Sequence, residues 1–219
     1  MIDLINQYRG KCLILGCGPS LKELSVDRLE ELAKTHCIFA IKQAYNLYPE
    51  LIDFHFINDN NYSRYDYSRS NCKVVAEFPL NHFVSSIADT ADYIFRVDNS
   101  DFTKSLTVTH DFDGSSLPKE IRPWGPGIMY ELVLFFAQAL GFTELYTYGW
   151  DLGPPGSQTR DHFYDYDVMA KAFPMSQQES DREIELSLAF YKWLKSKGVN
   201  LSICSTSYAH EEIPRQDAN

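Results

Sequence analysis

The sequence predicts an α/β fold built on one doubly wound, mostly parallel sheet, and three observations carry that prediction. The first is the stretch KCLILGCGPSL at residues 11–21, where an apolar run, Lys11 to Leu15, passes directly into the turn Gly16–Ser20. A buried strand entering a glycine-rich turn is the opening βα unit of a nucleotide-binding α/β domain. The second is a series of short apolar runs: CIFAI (37–41), FHFIN (54–58), KVVAE (73–77), YIFRV (93–97), ELYTY (144–148) and NLSIC (200–204). They are nearly continuous rather than alternating, as strands covered on both faces require. The third is that helical or loop stretches separate them, which gives a Rossmann-like parallel sheet between two helical layers.

Taken in order, the first strand is expected at the centre of the sheet. Gly16 and Gly18 lack a Cβ and can take φ > 0, letting backbone N–H groups approach a phosphate or a base. Pro19 fixes φ and Ser20 offers a hydroxyl. The same residues also fit a tight turn with no ligand. Leu21 stands where a third glycine of G-x-G-x-x-G falls, and no P-loop Lys-Ser/Thr follows. Leu24, Val26, Leu29, Leu32 and Ala33 recur at helical spacing, with Ser25 or Asp27 as the cap. Lys42, Gln43 and Tyr45 follow the second strand, and Asn58 and Asp59 close the third. Residues 98–122 are polar and read as a long functional loop or small hairpin. The run WGPGIMYELVLFFAQALGF predicts a buried helix over Ile128–Leu140, with Pro126 near its first position and Gly141 ending it.

Gly149, Trp150 and Asp151 end the sixth strand. Residues 153–174, rich in proline and in polar and aromatic side chains, read as a lid. Ser176 to Glu179 form a capping box for a helix to about Lys197, with Ile184, Leu188, Tyr191 and Leu194 on its apolar face. The tail, 209–219, is polar and reads as flexible.

Composition bounds the function. The 219 residues suit a single domain, 1–219, with 44% hydrophobic and 14% aromatic residues to build its core. A net charge of -10 counts against nucleic-acid partners and anionic membrane surfaces. Five dispersed cysteines, without C-x-x-C spacing, predict reduced thiols and a cytoplasmic protein. No signal peptide and no membrane span are expected. Homo-oligomer formation stays open.

Ligands of open α/β sheets lie beyond the carboxyl ends of the strands. That rule gathers Gly16–Ser20, Lys42, Gln43, Asn58, Asp59, Gly149–Asp151 and the helix start at 124–127, where free N–H groups favour an anion. Arg122 adds charge there or makes a structural salt bridge. Of the six histidines, His55 reads as a core or interface residue. His162, between Asp161 and Asp165, reads as a general base or as a surface histidine of the loop. Asp161, His162, Asp165 and Asp167, or Asp111 and Asp113, offer metal ligands without a metal-specific spacing, so no metal site is assigned.

GCGPSLKEL resembles the opening G-N-G-P-S-L-K-E of glycosyltransferase family 42, the small bacterial sialyltransferases. GIMYELVLFFAQALGFTELYTYGWD resembles a second segment of the same family. The same outline runs through the broader MptE-like family, which includes pterin pyrophosphokinases, and GWDLG followed by HFYD is similar to that group. The resemblance implies a metal-independent glycosyltransferase. It would move a sugar from a nucleotide-activated donor, CMP-sialic acid or a related sugar, to a saccharide acceptor in surface polysaccharide synthesis. It implies nucleotide contacts at Gly16, Gly18, Pro19, Ser20, Asn58 and Gly127, and matches Asp151 to the family's aspartate after the sixth strand. The strand-end rule adds Cys17 and Lys42 to the nucleotide-binding set, and the loop after the sixth strand supplies His162 as the base and Tyr164 beside the leaving phosphate, which complete a catalytic set with Asp151. Cys17 and Lys42 stand where the family keeps asparagines, and no histidine lies in 174–178, where the family's catalytic histidine falls. The MptE-like alternative implies a pyrophosphokinase with Mg²⁺ at Asp59, Asp151 or the 161–167 cluster. A non-catalytic nucleotide-binding protein is the third reading.

Overall fold

The computed structural model describes residues 7–8, 10–58, 65–79, 90–98, 122–123, 127–153, 159–163, 172–174, 177–206 and 210–218. Ten strands run in chain order: β1 Lys11–Leu15, β2 His36–Ile41, β3 Phe54–Asn58, β4 Lys73–Pro79, β5 Tyr93–Asp98, β6 Arg122–Pro123, β7 Glu144–Tyr148, β8 Thr159–Asp161, β9 Ala172–Pro174 and β10 Asn200–Ile203. Eight form one sheet in the order β10-β7-β1-β2-β3-β4-β5-β6, and β8 pairs antiparallel with β9. Every pairing named in the large sheet is parallel. The predicted fold class holds, with β1 interior between β2 and β7. β6, at the edge, is a two-residue strand whose polar sequence has no strand pattern.

Alternation along β1 shows why the strands read as continuously apolar. Cys12 and Ile14 join one buried cluster with Phe39, Phe54 and Phe56, while Leu13 and Leu15 join another with Ile38 and Ala40. The first face is covered by helix α2, Leu134–Leu140, the π-helical turn Met129–Val133 before it, and helix α3, Gln177–Ser196. The second is covered by helix α1, Val26–Ala33, and by 3-10 turns at Pro19–Glu23 and Lys42–Leu47. Ser25, not Asp27, caps α1 by accepting from the Arg28 N–H at 3.2 Å.

Four expectations need correction. The buried helix opens with a π-helical turn, which seats the Tyr130 ring 5.7 Å from Trp150 and 5.6 Å from Phe190. Val26 of α1 is exposed. Of the expected face of α3, Ile184 and Leu194 are buried while Leu188 and Tyr191 are half-buried, and the buried stripe also takes in Ser180, Glu183, Leu186, Ser187 and Phe190. Residues 210–218 dock rather than hang free. Ile213 and Ala218 are buried, Arg215 bridges Ile203 in parallel register, and the Ile203 N–H donates to Pro214 O at 2.9 Å.

Candidate functional site

The winding reverses between β1 and β7, and that switch point is where an open α/β sheet leaves a crevice. The Gly16–Ser20 turn and the Gly149–Asp151 turn meet there, back to back. A Cβ on Gly16 would lie 2.4 Å from Gly149 O, and one on Gly149 would lie 2.5 Å from Gly16 O. A Cβ on Gly18 would lie 2.4 Å from an Asp151 carboxylate oxygen. The Gly16 N–H donates to Tyr148 O and the Gly18 N–H to Gly149 O, each at 2.7 Å.

This corrects the expected role of these glycines. Among the described residues neither Gly16 nor Gly18 has positive φ, and Gly18 sits at φ -72. Gly16 is glycine because two backbones approach within contact distance, Gly18 because the Asp151 side chain fills the place of a Cβ, and their N–H groups are spent on the carbonyls of Tyr148 and Gly149 rather than held for a phosphate.

Asp151 and Ser20 complete the latch. The Ser20 N–H donates to one Asp151 carboxylate oxygen at 2.7 Å, the Ser20 hydroxyl donates to the other, and Ser20 Oγ accepts from the Gly149 N–H at 3.1 Å. Cys17 turns the other way, its thiol donating to Ile41 O at 3.1 Å and tying the turn to the end of β2.

The described walls enclose a cavity of ≈ 170 Å³, lined by Gly16, Cys17, Gly18, Ile41, Lys42, Gly127–Tyr130, Gly149–Leu152, His162 and Glu183. Sites that hold a whole drug-sized ligand run to roughly 300–1,000 Å³. This space matches a phosphate or sugar portion better than a complete nucleotide sugar.

Lys42 enters from the end of β2 with φ 47. Gly127, at φ 143, opens the buried helix, and a Cβ placed there would meet nothing within 4 Å. His162 reaches the wall because the chain after β7 folds back, with the Phe163 N–H donating to Cys17 O at 2.9 Å. Glu183 comes from α3 and is almost wholly buried.

Thus Gly16, Cys17, Gly18, Lys42, Gly127, Asp151 and His162 converge on one cavity. Pro19, Ser20, Gln43 and Asn58 are not part of this wall. Tyr164, Asp59, Asp111, Asp113, Asp165, Asp167, Ser176 and residues 124–126 lie outside the described residues. Glu183 is the carboxylate of the wall that sequence reading missed, beside the apolar wall residues Ile41, Ile128, Met129, Tyr130 and Leu152. Its signal is its place on the stripe 180, 183, 187, 190, 194, where a carboxylate interrupts buried positions.

Among the described residues no three His, Cys, Asp or Glu side chains group as a metal site, and no helix is long and apolar enough to cross a membrane. No family model, no curated protein and no solved structure matches this chain.

Proposed function

We propose that the chain is a transferase that takes a sugar from a nucleotide-activated donor and passes it to a saccharide acceptor. The observation that carries this reading is the switch-point cavity, which joins a lysine, a histidine and a buried carboxylate from three distant stretches of chain, Lys42, His162 and Glu183. The resemblance of GCGPSLKEL and GIMYELVLFFAQALGF to the sialyltransferase family supports the donor class. In this reading the acceptor oxygen attacks the anomeric carbon, the bond from that carbon to the donor phosphate breaks, and the acceptor proton passes to His162. Histidine takes such a proton near neutral pH without a large shift. The charge left on the phosphate is met by the Lys42 ammonium and by N–H groups at the Gly127 helix start. Asp151 serves the site by fixing the Gly16–Ser20 turn, since both of its oxygens are engaged by Ser20.

The test begins with thermal shifts in a panel of CMP, CDP, UDP, GDP and their sugar conjugates, each with and without Mg²⁺, because a ligand bound to the folded state raises stability by mass action. A cytidine or other pyrimidine nucleotide is expected to raise the melting temperature without added metal. His162→Ala should then lower kcat by ~10²-fold while nucleotide affinity stays nearly unchanged. Turnover within a few-fold of the parent removes His162 from the mechanism. Turnover that requires Mg²⁺ and transfers pyrophosphate replaces glycosyl transfer by the pyrophosphokinase reading.

A further inference from the structure

We infer that His55 is a positioning residue, whose Nε2–H holds the Lys42 carbonyl and thereby the left-handed backbone that delivers the Lys42 side chain to an anion in the cavity. The inference rests on the reading of that cavity as a phosphate site. Lys42 is the one non-glycine with positive φ among the described residues. An L-residue adopts that conformation at a cost in free energy, and such strain persists only where surrounding contacts over-determine it. Glycine or asparagine meets the backbone demand more cheaply. Lysine adds what neither carries, an ammonium, and among the described residues no ion pair or hydrogen bond is made by the Lys42 Nζ.

The contacts that over-determine the turn are all present. His55 Nε2 lies 2.9 Å from Lys42 O, and a carbonyl only accepts, so Nε2 carries the proton. Nδ1 is then an acceptor, 2.8 Å from the Tyr67 hydroxyl, which donates to it. Burial holds the imidazole neutral and the Tyr67 phenol protonated, which keeps that tautomer in place. The Tyr45 ring stacks on His55 at 4.4 Å and 16°, and Tyr65 meets it edge-on at 4.5 Å. One residue earlier, the Ile41 carbonyl is taken by the Cys17 thiol. The two carbonyls that set the path of the chain at Lys42 are therefore both held by side chains from other segments, and the His55 ring has no room to turn away.

The experiment is a double-mutant cycle read by calorimetry with inorganic pyrophosphate, on the full chain. His55→Phe keeps a ring against Tyr45 and removes the donor. His55→Gln restores an N–H near the Nε2 position. Lys42→Asn accepts the left-handed backbone and removes the ammonium. His55→Phe is expected to weaken pyrophosphate binding by about tenfold in the parent and by less than about twofold in the Lys42→Asn background, a coupling of the size contacting residues show. His55→Gln should recover most of the loss. An equal loss in both backgrounds makes His55 a purely structural residue and overturns the inference.

Should His55→Phe not fold, Tyr67→Phe, which deletes the hydroxyl that fixes the tautomer, reads the same coupling. A smaller loss confined to the Lys42 background is expected, and an equal loss in both overturns it. A parent that binds nucleotide but not pyrophosphate overturns this inference alone. A parent that binds pyrophosphate and none of the nucleotide panel overturns the nucleotide reading and leaves this one standing.

Discussion

Gly16 and Gly149 face each other so closely that each carbonyl occupies the place of the other's missing side chain. Gly16→Ala is expected to cost about 3 kcal/mol, at the upper end of overpacking, because its Cβ meets backbone that cannot rotate aside. Gly18→Ala should cost less, since its neighbour is the Asp151 side chain. Urea denaturation of the two variants checks the order, and equal stability to the parent would contradict the packing account. Neither substitution reports on ligand directly, so a loss of nucleotide binding in Gly18→Val would first be a loss of structure. His55 makes a different kind of prediction. Its pKa is lowered from 6.5 to about 3, chiefly by burial, with the Lys42 carbonyl opposing. The unfolded chain therefore takes up the proton first as pH falls. Stability from this group is present above 6.5 and is lost toward about pH 3, with a slope of up to ~1.4 kcal/mol per pH unit. His36, also lowered mainly by burial, adds to the slope. Denaturation midpoints between pH 7 and pH 4 should fall steeply in the parent and less steeply in His55→Gln.

At the scale of elements, the phenylalanine layer between the sheet and α2 holds the buried helix in place. Phe136 is fully buried, with ring centroids of Phe54, Phe56 and Phe95 at 5.5, 5.4 and 5.9 Å. Phe136→Ala is expected to cost about 3–5 kcal/mol, the range for removing a buried ring. A cost under 1 kcal/mol in chemical denaturation would show that the layer collapses to fill the space. This layer was legible in the sequence, because its strands are buried on both faces and the pattern of a helix apolar all round needs no partner to be recognised. Other elements were not legible, for physical reasons. β6 is too short to carry a period. The 210–218 segment has few apolar residues, and Ile213 is buried in the core cluster that also holds Leu201 and Ile203 of β10, a placement that no local pattern encodes. The Gly16–Ser20 turn was found but its logic was not, since glycine required by close backbone approach and glycine required by positive φ look the same in one sequence. Lys42 and His162 were legible only through the rule that strand ends converge. The hydrogen bond from His55 to Lys42 joins residues 13 apart that share no motif.

For the whole molecule, the docked segment closes one edge of the sheet. Removing residues 209–219 is expected to lower the melting temperature and to open β10 to pairing with another chain, an edge that folded proteins keep covered. Light scattering that stays independent of concentration in the truncated chain would argue against that protective role. The topology sets a further order of events, at synthesis rather than at equilibrium. β1 lies between β2 and β7, and the second partner is encoded more than a hundred residues after the first. Domains assemble from the N-terminus as the chain emerges, and pairings distant in sequence are slow to form. A nascent chain that has made β1 through β6 therefore carries a buried, apolar strand of the sheet with one side unpaired. It keeps that sticky edge through the synthesis of the buried helix, until residues 144–148 arrive. The switch point that forms the cavity is thus also a late seam of the core, followed by α3 and β10, and the growing polypeptide needs shelter there before any ligand can bind.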